Sequence, residues 1–243
     1  KMIFKFKIIK KSKKSLARAG VIETPHGRIK TPAFVSVATH GSIKSLAPDD
    51  LKNLGVERGD RVFIFLPRVP ALFISFLGTL KIGAIAGTLF SAFGPQALAD
   101  RLGQSGAKVL ITNEELKPRV DKIRRRLPNL EKILVVGGDW EKEMAKASPV
   151  LRVTRMEPEE PAFMLYTSGT TGKPKGVVHT HRAILQEHLT AKWVLDLRED
   201  DIYWCTADPG WVTGIAYEIL GSWSNGASTL VYEGRFDPAK WYQ

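Results

Sequence analysis

From Val62 onward, short apolar runs alternate along the chain with longer stretches in which apolar residues recur at helical spacing. Short apolar runs bounded by turn residues are typical of buried strands, and helical spacing is typical of helices that pack on a sheet. The alternation predicts an α/β fold with a layered, largely parallel sheet and flanking helices. The predicted strands are Val62–Leu66, Ala84–Phe90, Lys108–Thr112, Lys132–Val136, Ala162–Leu165, Val177–Thr180 and Ser228–Tyr232, and the predicted helices are Pro70–Ile82, Pro95–Gly103, Glu114–Leu127 and Ala183–Leu195.

The first 55 residues have a different pattern, with short strands and turns. We therefore predict a β-rich segment over residues 1–55, followed by a separate domain over residues 56–243. Residues 137–160 carry many polar residues and turn formers, and we predict that they form a polar connection. In the N-terminal segment we predict a strand at 2–9, a hairpin with arms at Val21-Ile22 and Arg28–Lys30 about the turn Pro25–Gly27, a strand at Ala33–Val37 and a helix at Ala47–Gly55.

The composition is that of an ordinary globular protein, with 44% hydrophobic and 25% charged residues. Cys205 is the one cysteine, which excludes an internal disulfide and a multi-cysteine zinc site. Low cysteine use favours a reducing compartment, and we expect a cytoplasmic protein. The apolar region 62–93 is interrupted by charges, glycines and proline, so we predict no contact with the membrane interior.

The net charge of +11 is concentrated near the N-terminus, where residues 1–50 carry 11 Lys and Arg but only 3 Asp and Glu. A basic segment of this kind can contact nucleic acid or another anionic surface. A solvated basic face is the simpler interpretation. We therefore expect any nucleic-acid contact to be confined to this segment.

A loop rich in glycine, hydroxyl and lysine residues joins two of the predicted strands, with the sequence YTSGTTGKPKG from Tyr166 to Gly176. Glycines let a backbone approach an anion closely, and successive N–H groups form an anion-binding nest. The sequence does not fit a Walker A loop, since only two residues separate Gly169 from Gly172 and Pro174 follows Lys173. From composition alone, a surface hairpin without a ligand remains an alternative.

Two further sets of residues were considered as sites. His179 and His181 lie two residues apart and would share one face of a strand, which is one way to hold a metal. No third ligand is evident, so we predict no metal site on the protein. Asp208 precedes a Pro-Gly turn, and a role as catalytic base has no support from neighbouring residues.

The string from Tyr166 to Gly176 resembles the phosphate-binding signature of the adenylate-forming enzymes, the acyl-CoA synthetase superfamily. A second string, DIYWCTADPGWVTG over residues 201–214, resembles the acyl-pocket segment of acetyl-CoA synthetases. The resemblance covers about residues 56–243 and implies an AMP-forming acid–thiol ligase. In such a ligase, acetate or another short-chain carboxylate attacks ATP to give an acyl-adenylate, and coenzyme A then displaces AMP. The implied cofactors are ATP, Mg²⁺ and coenzyme A.

The resemblance also implies roles for particular residues. The loop would hold the β- and γ-phosphates, with Lys173 preferred over Lys175 as the charge contact. Val212 and Thr213 match family positions that line the acyl pocket, and Trp211 stands beside them, although a core position for Trp211 is the alternative. The family's catalytic lysine would lie beyond Gln243, so the catalytic residue is unknown and we expect little or no activity from this chain alone. The loop residues are Thr167, Ser168, Gly169, Thr170, Thr171, Gly172, Lys173 and Lys175.

Residues 1–55 resemble instead the N-terminus of tRNA-guanine transglycosylases. The matching strings include Thr24–Gly27, Thr31–Phe34 and Gly41–Lys44. That family's catalytic aspartates and zinc cluster lie further along its chain and are absent here. We therefore expect a chimeric or truncated chain with a junction near residues 51–56. A tRNA-modifying fragment and a non-enzymatic nucleotide-binding module remain the alternative functions.

Overall fold

The computed structural model describes residues 5–11, 18–24, 27–31, 38–39, 42–43, 54–146, 153–168 and 172–233. The chain divides into two compact units, one of residues 1–36 with 234–243 and the other of residues 37–233. The predicted strand Ala33–Val37 and most of the predicted helix Ala47–Gly55 lie outside the described residues.

The first unit contains a three-stranded antiparallel sheet in the order β1-β2-β3. Its strands are β1 (Lys5–Lys11), β2 (Arg18–Thr24) and β3 (Gly27–Thr31). Thr24 pairs with Gly27, so β2 and β3 form the hairpin that the sequence predicts. The two residues of its turn, Pro25 and His26, are not among those the structure describes.

The second unit is built on a six-stranded sheet in the order β11-β10-β7-β6-β8-β9. Every neighbouring pair is parallel except β10 and β11, which form an antiparallel hairpin at one edge. The predicted α/β fold with a largely parallel sheet is therefore confirmed. The strands are β6 (Arg61–Ile64), β7 (Ile85–Thr88), β8 (Val109–Asn113), β9 (Lys132–Val136), β10 (Pro161–Thr167) and β11 (Lys175–Thr180), and short pairs are formed by β4 (Ala38–Thr39) with β5 (Ser42–Ile43) and by β12 (Ile202–Tyr203) with β13 (Ser228–Thr229).

Helices connect the parallel strands, and proline lies in the first turn of three of them, where its missing N–H leaves no helical bond unmade. Within the described ranges, no helix combines the length and the hydrophobicity that crossing a bilayer requires. The helices are α1 (Pro70–Lys81), α2 (Pro95–Ser105), α3 (Lys117–Asp121), α4 (Asp139–Lys146), α5 (His181–Trp193) and α6 (Ser222–Ser224), with a 3-10 turn at Arg124–Arg126 and a π-helical segment at Gly214–Gly221.

The core has two layers, one on each face of the sheet. Successive side chains of a strand point to opposite faces, so Val62 and Ile64 belong to one apolar cluster and Phe63 belongs to the other. The first cluster includes Phe76 of α1, and the second includes Leu98 of α2. Both faces of the parallel strands are therefore covered, which explains their nearly continuous apolar sequences.

Two predictions of secondary structure are wrong. The region Glu114–Leu127 does not form one helix, because the Asn113 Oδ1 accepts a hydrogen bond from the Leu116 N–H (2.9 Å) and Pro118 suits only the first turn of a helix. The predicted polar connection 137–160 contains α4, whose buried Trp140 and Met144 lie one turn apart among charged residues.

Candidate functional site

The two segments with predicted roles both lie at the carboxyl edge of the parallel strands. The loop 168–174 follows β10 directly. The acyl segment, residues 206–214, is held at the ends of β7 and β6. The Thr88 hydroxyl donates a hydrogen bond to the Pro209 carbonyl (2.6 Å), and the Arg68 guanidinium donates one to the Thr206 carbonyl (2.7 Å). Ligands of open α/β sheets bind outside this edge, so the topology favours a binding site here.

The loop begins where the β10–β11 ladder ends, at the pair Thr167 and Lys175. Gly172 has φ +80°, and the space where a side chain would project is open. Glycine is therefore favoured here by the backbone conformation. The surrounding space would admit a larger side chain. Gly169, Thr170 and Thr171 lie outside the described residues.

The described side chains of the loop are available to an anion. Thr167, Ser168, Lys173 and Lys175 are exposed. None of the ion pairs formed between described residues involves either lysine. Hydroxyl donors and two cations at a strand end form a set that suits phosphate oxygens.

Buried contacts fix the base of the loop. Tyr166 is the second-last residue of β10, and its hydroxyl donates a hydrogen bond to the Arg101 carbonyl (2.8 Å). Burial raises the pKa of Tyr166, so the phenol stays protonated and keeps this donor. Across the hairpin, a side-chain carbon at Gly176 would stand 3.3 Å from the Tyr166 ring. The strand before the loop is therefore tightly packed.

A compact turn carries the acyl segment. The Asp208 carboxylate accepts a hydrogen bond from the Gly210 N–H (2.8 Å), and the Asp208 carbonyl accepts one from the Trp211 N–H (2.9 Å). A side chain at Gly210 would overlap the backbone of Phe90, which follows β7. Asp208 thus stabilises the turn, and burial raises the pKa of its carboxyl.

The predicted acyl-pocket residues lie on the surface of this edge. Trp211 is 41% exposed and Val212 47% exposed, and Thr213 is exposed as well. The Trp211 ring packs against Phe90 (5.7 Å between ring centroids) and Phe93 (6.1 Å). Trp211 is therefore not a core residue, and it remains partly accessible.

A buried carboxyl that the sequence analysis did not single out lies behind the acyl segment. Glu218 is fully buried in the π-helical segment, and neither of its carboxyl oxygens has a partner among the described residues. Burial raises its pKa to about 8, while Arg68 lowers it and Asp208 adds to the increase. A lone acidic residue in the apolar run GIAYEILG was the sequence signal that could have identified it.

The two histidines considered as metal ligands do not share a strand face. His179 lies in β11, and its ring stacks on the ring of Phe163 (4.5 Å between centroids). His181 is instead the first residue of α5. Burial lowers the pKa of both rings. Across the described part of the chain, no group of three or more His, Cys, Asp and Glu side chains is placed to hold a metal ion.

Comparison with known proteins decides the family. The model of the AMP-binding enzyme family matches residues 49–243, which is most of the chain. The chain belongs to the AMP-binding enzyme family. It is 52% identical over 198 residues to the acetyl-coenzyme A synthetase of Bacillus subtilis, covering 77% of this chain and 34% of that protein. It is 39% identical over 236 residues to the acetyl-coenzyme A synthetase of Methanothrix thermoacetophila, covering 88% and 35%.

Solved structures of AMP-binding enzymes agree with the fold. The crystal structure of a Brucella canis acyl-CoA synthetase superposes with a TM-score of 0.75 at 32% identity, covering 82% of this chain and 38% of that one. An anthranilate CoA ligase in complex with anthranoyl-AMP gives a TM-score of 0.73 at 30% identity, covering 79% and 38%. The chain spans about a third of the length of the curated relatives it matches.

The N-terminal resemblance is matched as well. Residues 12–59 match the family model of queuine tRNA-ribosyltransferase. Both resemblances seen in the sequence are thus confirmed. The two matched regions share residues 49–59, while the boundary between residues 55 and 56 stays a prediction.

Proposed function

We propose that residues 56–243 supply the phosphate-binding loop and the acyl pocket of an AMP-forming acetate–CoA ligase. One observation carries the proposal: the loop after β10 and the acyl segment lie at the same carboxyl edge, and contacts through Phe93 and the Arg101 guanidinium connect Trp211 to Tyr166 beside the loop. The names of the relatives support acetate as the acid.

In the proposed reaction, a carboxylate oxygen attacks the α-phosphorus of ATP and the bond to pyrophosphate breaks. The thiol of coenzyme A then attacks the acyl carbon, and AMP leaves. Negative charge builds up on the phosphates in the first step, so fixed donors and cations are the main need. Loop N–H groups, hydroxyl groups and Lys173 meet that need in this proposal, with Lys175 as a second cation. The hydroxyl groups are those of Thr167, Ser168, Thr170 and Thr171.

Magnesium would enter with the nucleotide. Mg²⁺ in such sites keeps several waters and is bound through substrate phosphates and one or two carboxylates. It would neutralise phosphate charge. In this proposal the triphosphate itself would supply most of its protein-independent ligands.

Substrate size would be set by the wall formed by Trp211, Val212 and Thr213. A packed wall distinguishes acids that differ by one methylene by about 1–3 kcal/mol, through lost contacts or overlap. The exposed surface of Trp211 next to Val212 suits a short apolar chain, such as the methyl group of acetate, better than a second charged group on the acid.

Calorimetric titration with MgATP and MgAMP tests the phosphate loop. We expect Lys173→Met to weaken MgATP binding by about tenfold or more, because a hydrogen bond to a charged group contributes about 1.5–3 kcal/mol. MgAMP lacks the phosphates that the loop would hold, so its weaker binding should not change. Lys132→Met is the matched control, since Lys132 is exposed on β9 at the opposite edge of the sheet.

Equal affinities for MgATP and MgAMP in the wild-type chain would contradict a loop that holds the β- and γ-phosphates. Acetate-dependent incorporation of labelled pyrophosphate into ATP would support the ligase over a non-enzymatic nucleotide-binding module.

A further inference from the structure

An arginine and a set of aromatic rings connect the base of the phosphate loop to the acyl segment. The Arg101 guanidinium carbon lies 4.2 Å from the centroid of the Phe93 ring and 5.6 Å from that of Tyr166. The Phe93 ring in turn meets Trp211 at 6.1 Å in an edge-on arrangement. Arg101 therefore stands between the strand that leads into the loop and the ring beside the acyl pocket.

Two rings and a backbone carbonyl contact the Arg101 guanidinium, and it forms no ion pair with a carboxylate of the residues that the structure describes. Its Nη1 donates a hydrogen bond to the Ala97 carbonyl (3.0 Å), and its buried Nε has no partner among the described residues. The adjacent Asp100 pairs with Arg126 (4.0 Å). A guanidinium is planar and stacks on aromatic faces, whereas a lysine ammonium is a compact point charge, so the geometry here favours arginine.

The contacts at both ends of this connection leave little room for movement. The Tyr166 hydroxyl donates a hydrogen bond to the Arg101 carbonyl, and the Arg101 guanidinium lies over the Tyr166 ring. Both the backbone and the side chain of Arg101 therefore contact Tyr166. At the other end, Phe90 packs against both Phe93 and Trp211, each at 5.7 Å between centroids. Packed interiors transmit displacements because they have few voids to absorb them.

We propose that Arg101 is a positioning residue that couples occupancy of the phosphate loop to the position of Trp211. When an anion binds the loop, a displacement of Tyr166 passes to Arg101, and through Arg101 to Phe93 and Trp211. The inference rests on the proposed function of the loop. It assigns Arg101 no contact with a substrate.

Inorganic triphosphate and tryptophan fluorescence test the coupling. Triphosphate binds the loop alone, and the difference between the emission of the wild type and of Trp211→Phe isolates the signal of Trp211. We expect triphosphate to shift that signal in the wild type. Arg101→Met and Arg101→Lys should lose the shift while their calorimetric affinity for triphosphate changes by less than about threefold. Arg126→Met, which replaces an exposed arginine of the 3-10 turn that pairs with Asp100 of α2, should retain it.

The outcomes separate the two proposals. A wild-type chain that does not bind triphosphate contradicts the proposed function. A chain that binds triphosphate without moving the Trp211 signal, or an Arg101 variant that keeps the shift, overturns the coupling. Should neither Arg101 variant fold, Phe93→Leu removes the connecting ring but keeps an apolar side chain. Loss of the shift in that variant supports the coupling, and its retention overturns it.

Discussion

Replacing Glu218 with glutamine should stabilise the fold at alkaline pH and change little at acid pH. The carboxyl of Glu218 is fully buried in the π-helical segment, with both oxygens unpartnered among the described residues. Arg68 favours its charged form, but burial and Asp208 favour the neutral form, and the pKa rises to about 8. Glutamine has nearly the same shape and is neutral at every pH, so it removes only the ionisation.

The magnitude follows from the displaced pKa. Since the folded state binds this proton more tightly than the unfolded state, its stabilising contribution is complete below the unfolded pKa of 4.5 and is lost as the pH rises to about 8. A difference of that size corresponds to at most about 5 kcal/mol. We expect Glu218→Gln to gain at least about 2 kcal/mol over the wild type near pH 8.5, and less than about 1 kcal/mol near pH 5.

Urea unfolding at a series of pH values measures this difference directly. Comparing variant with wild type at each pH cancels the titration of other buried groups, such as Glu187, whose pKa burial raises to about 7. Glu115→Gln is the control, because it makes the same chemical change at an exposed position. A stability difference for Glu218→Gln that is constant with pH, or a loss of stability at alkaline pH, would refute the reasoning.

Two glycine substitutions extend the account. Gly172→Ala should cost about 1 kcal/mol of stability, because Gly172 has a positive φ, and it should also weaken MgATP binding in a calorimetric titration. Gly137→Ala is the control, since Gly137 has φ +90° and equally open space around it. It should cost the same stability and leave the affinity for MgATP unchanged. Gly210→Ala should lower stability by about 1–3 kcal/mol in thermal unfolding, because the added carbon overlaps Phe90. Gly138→Ala meets only an ordinary contact of 3.5 Å, so an equal loss there would contradict the overlap argument.

The sequence was sufficient to predict most of the sheet and the helices that cover it. Strand β9 occupies Lys132–Val136 as predicted from its apolar run. Helix α1 begins at the predicted Pro70, because its apolar periodicity and its N-terminal proline indicate the same start. The hairpin that carries the loop was predictable for the same reason. Local pattern and tertiary packing favour the same structure at these positions.

Other features depend on contacts that a linear pattern does not contain. Trp140 and Met144 are two apolar residues among charged neighbours, so their burial in α4 becomes evident only when the sheet is present. The unpartnered carboxyl of Glu218 and the packing of Arg101 between Phe93 and Tyr166 join distant parts of the chain. Their chemistry follows from the tertiary structure. From the sequence alone, the apolar run around Glu218 suggests the interior of a helix, and Arg101 suggests a charge on the surface.

Backbone amide NMR during a MgATP titration tests most directly whether the turn between β10 and β11 holds the nucleotide's phosphates. We expect the Ser168 and Gly172 amides to shift on addition of MgATP and to shift much less with MgAMP. Amides of Lys132–Val136, at the far edge of the sheet, should stay in place. Unmoved amides at Ser168 and Gly172 in the presence of bound MgATP would contradict the account.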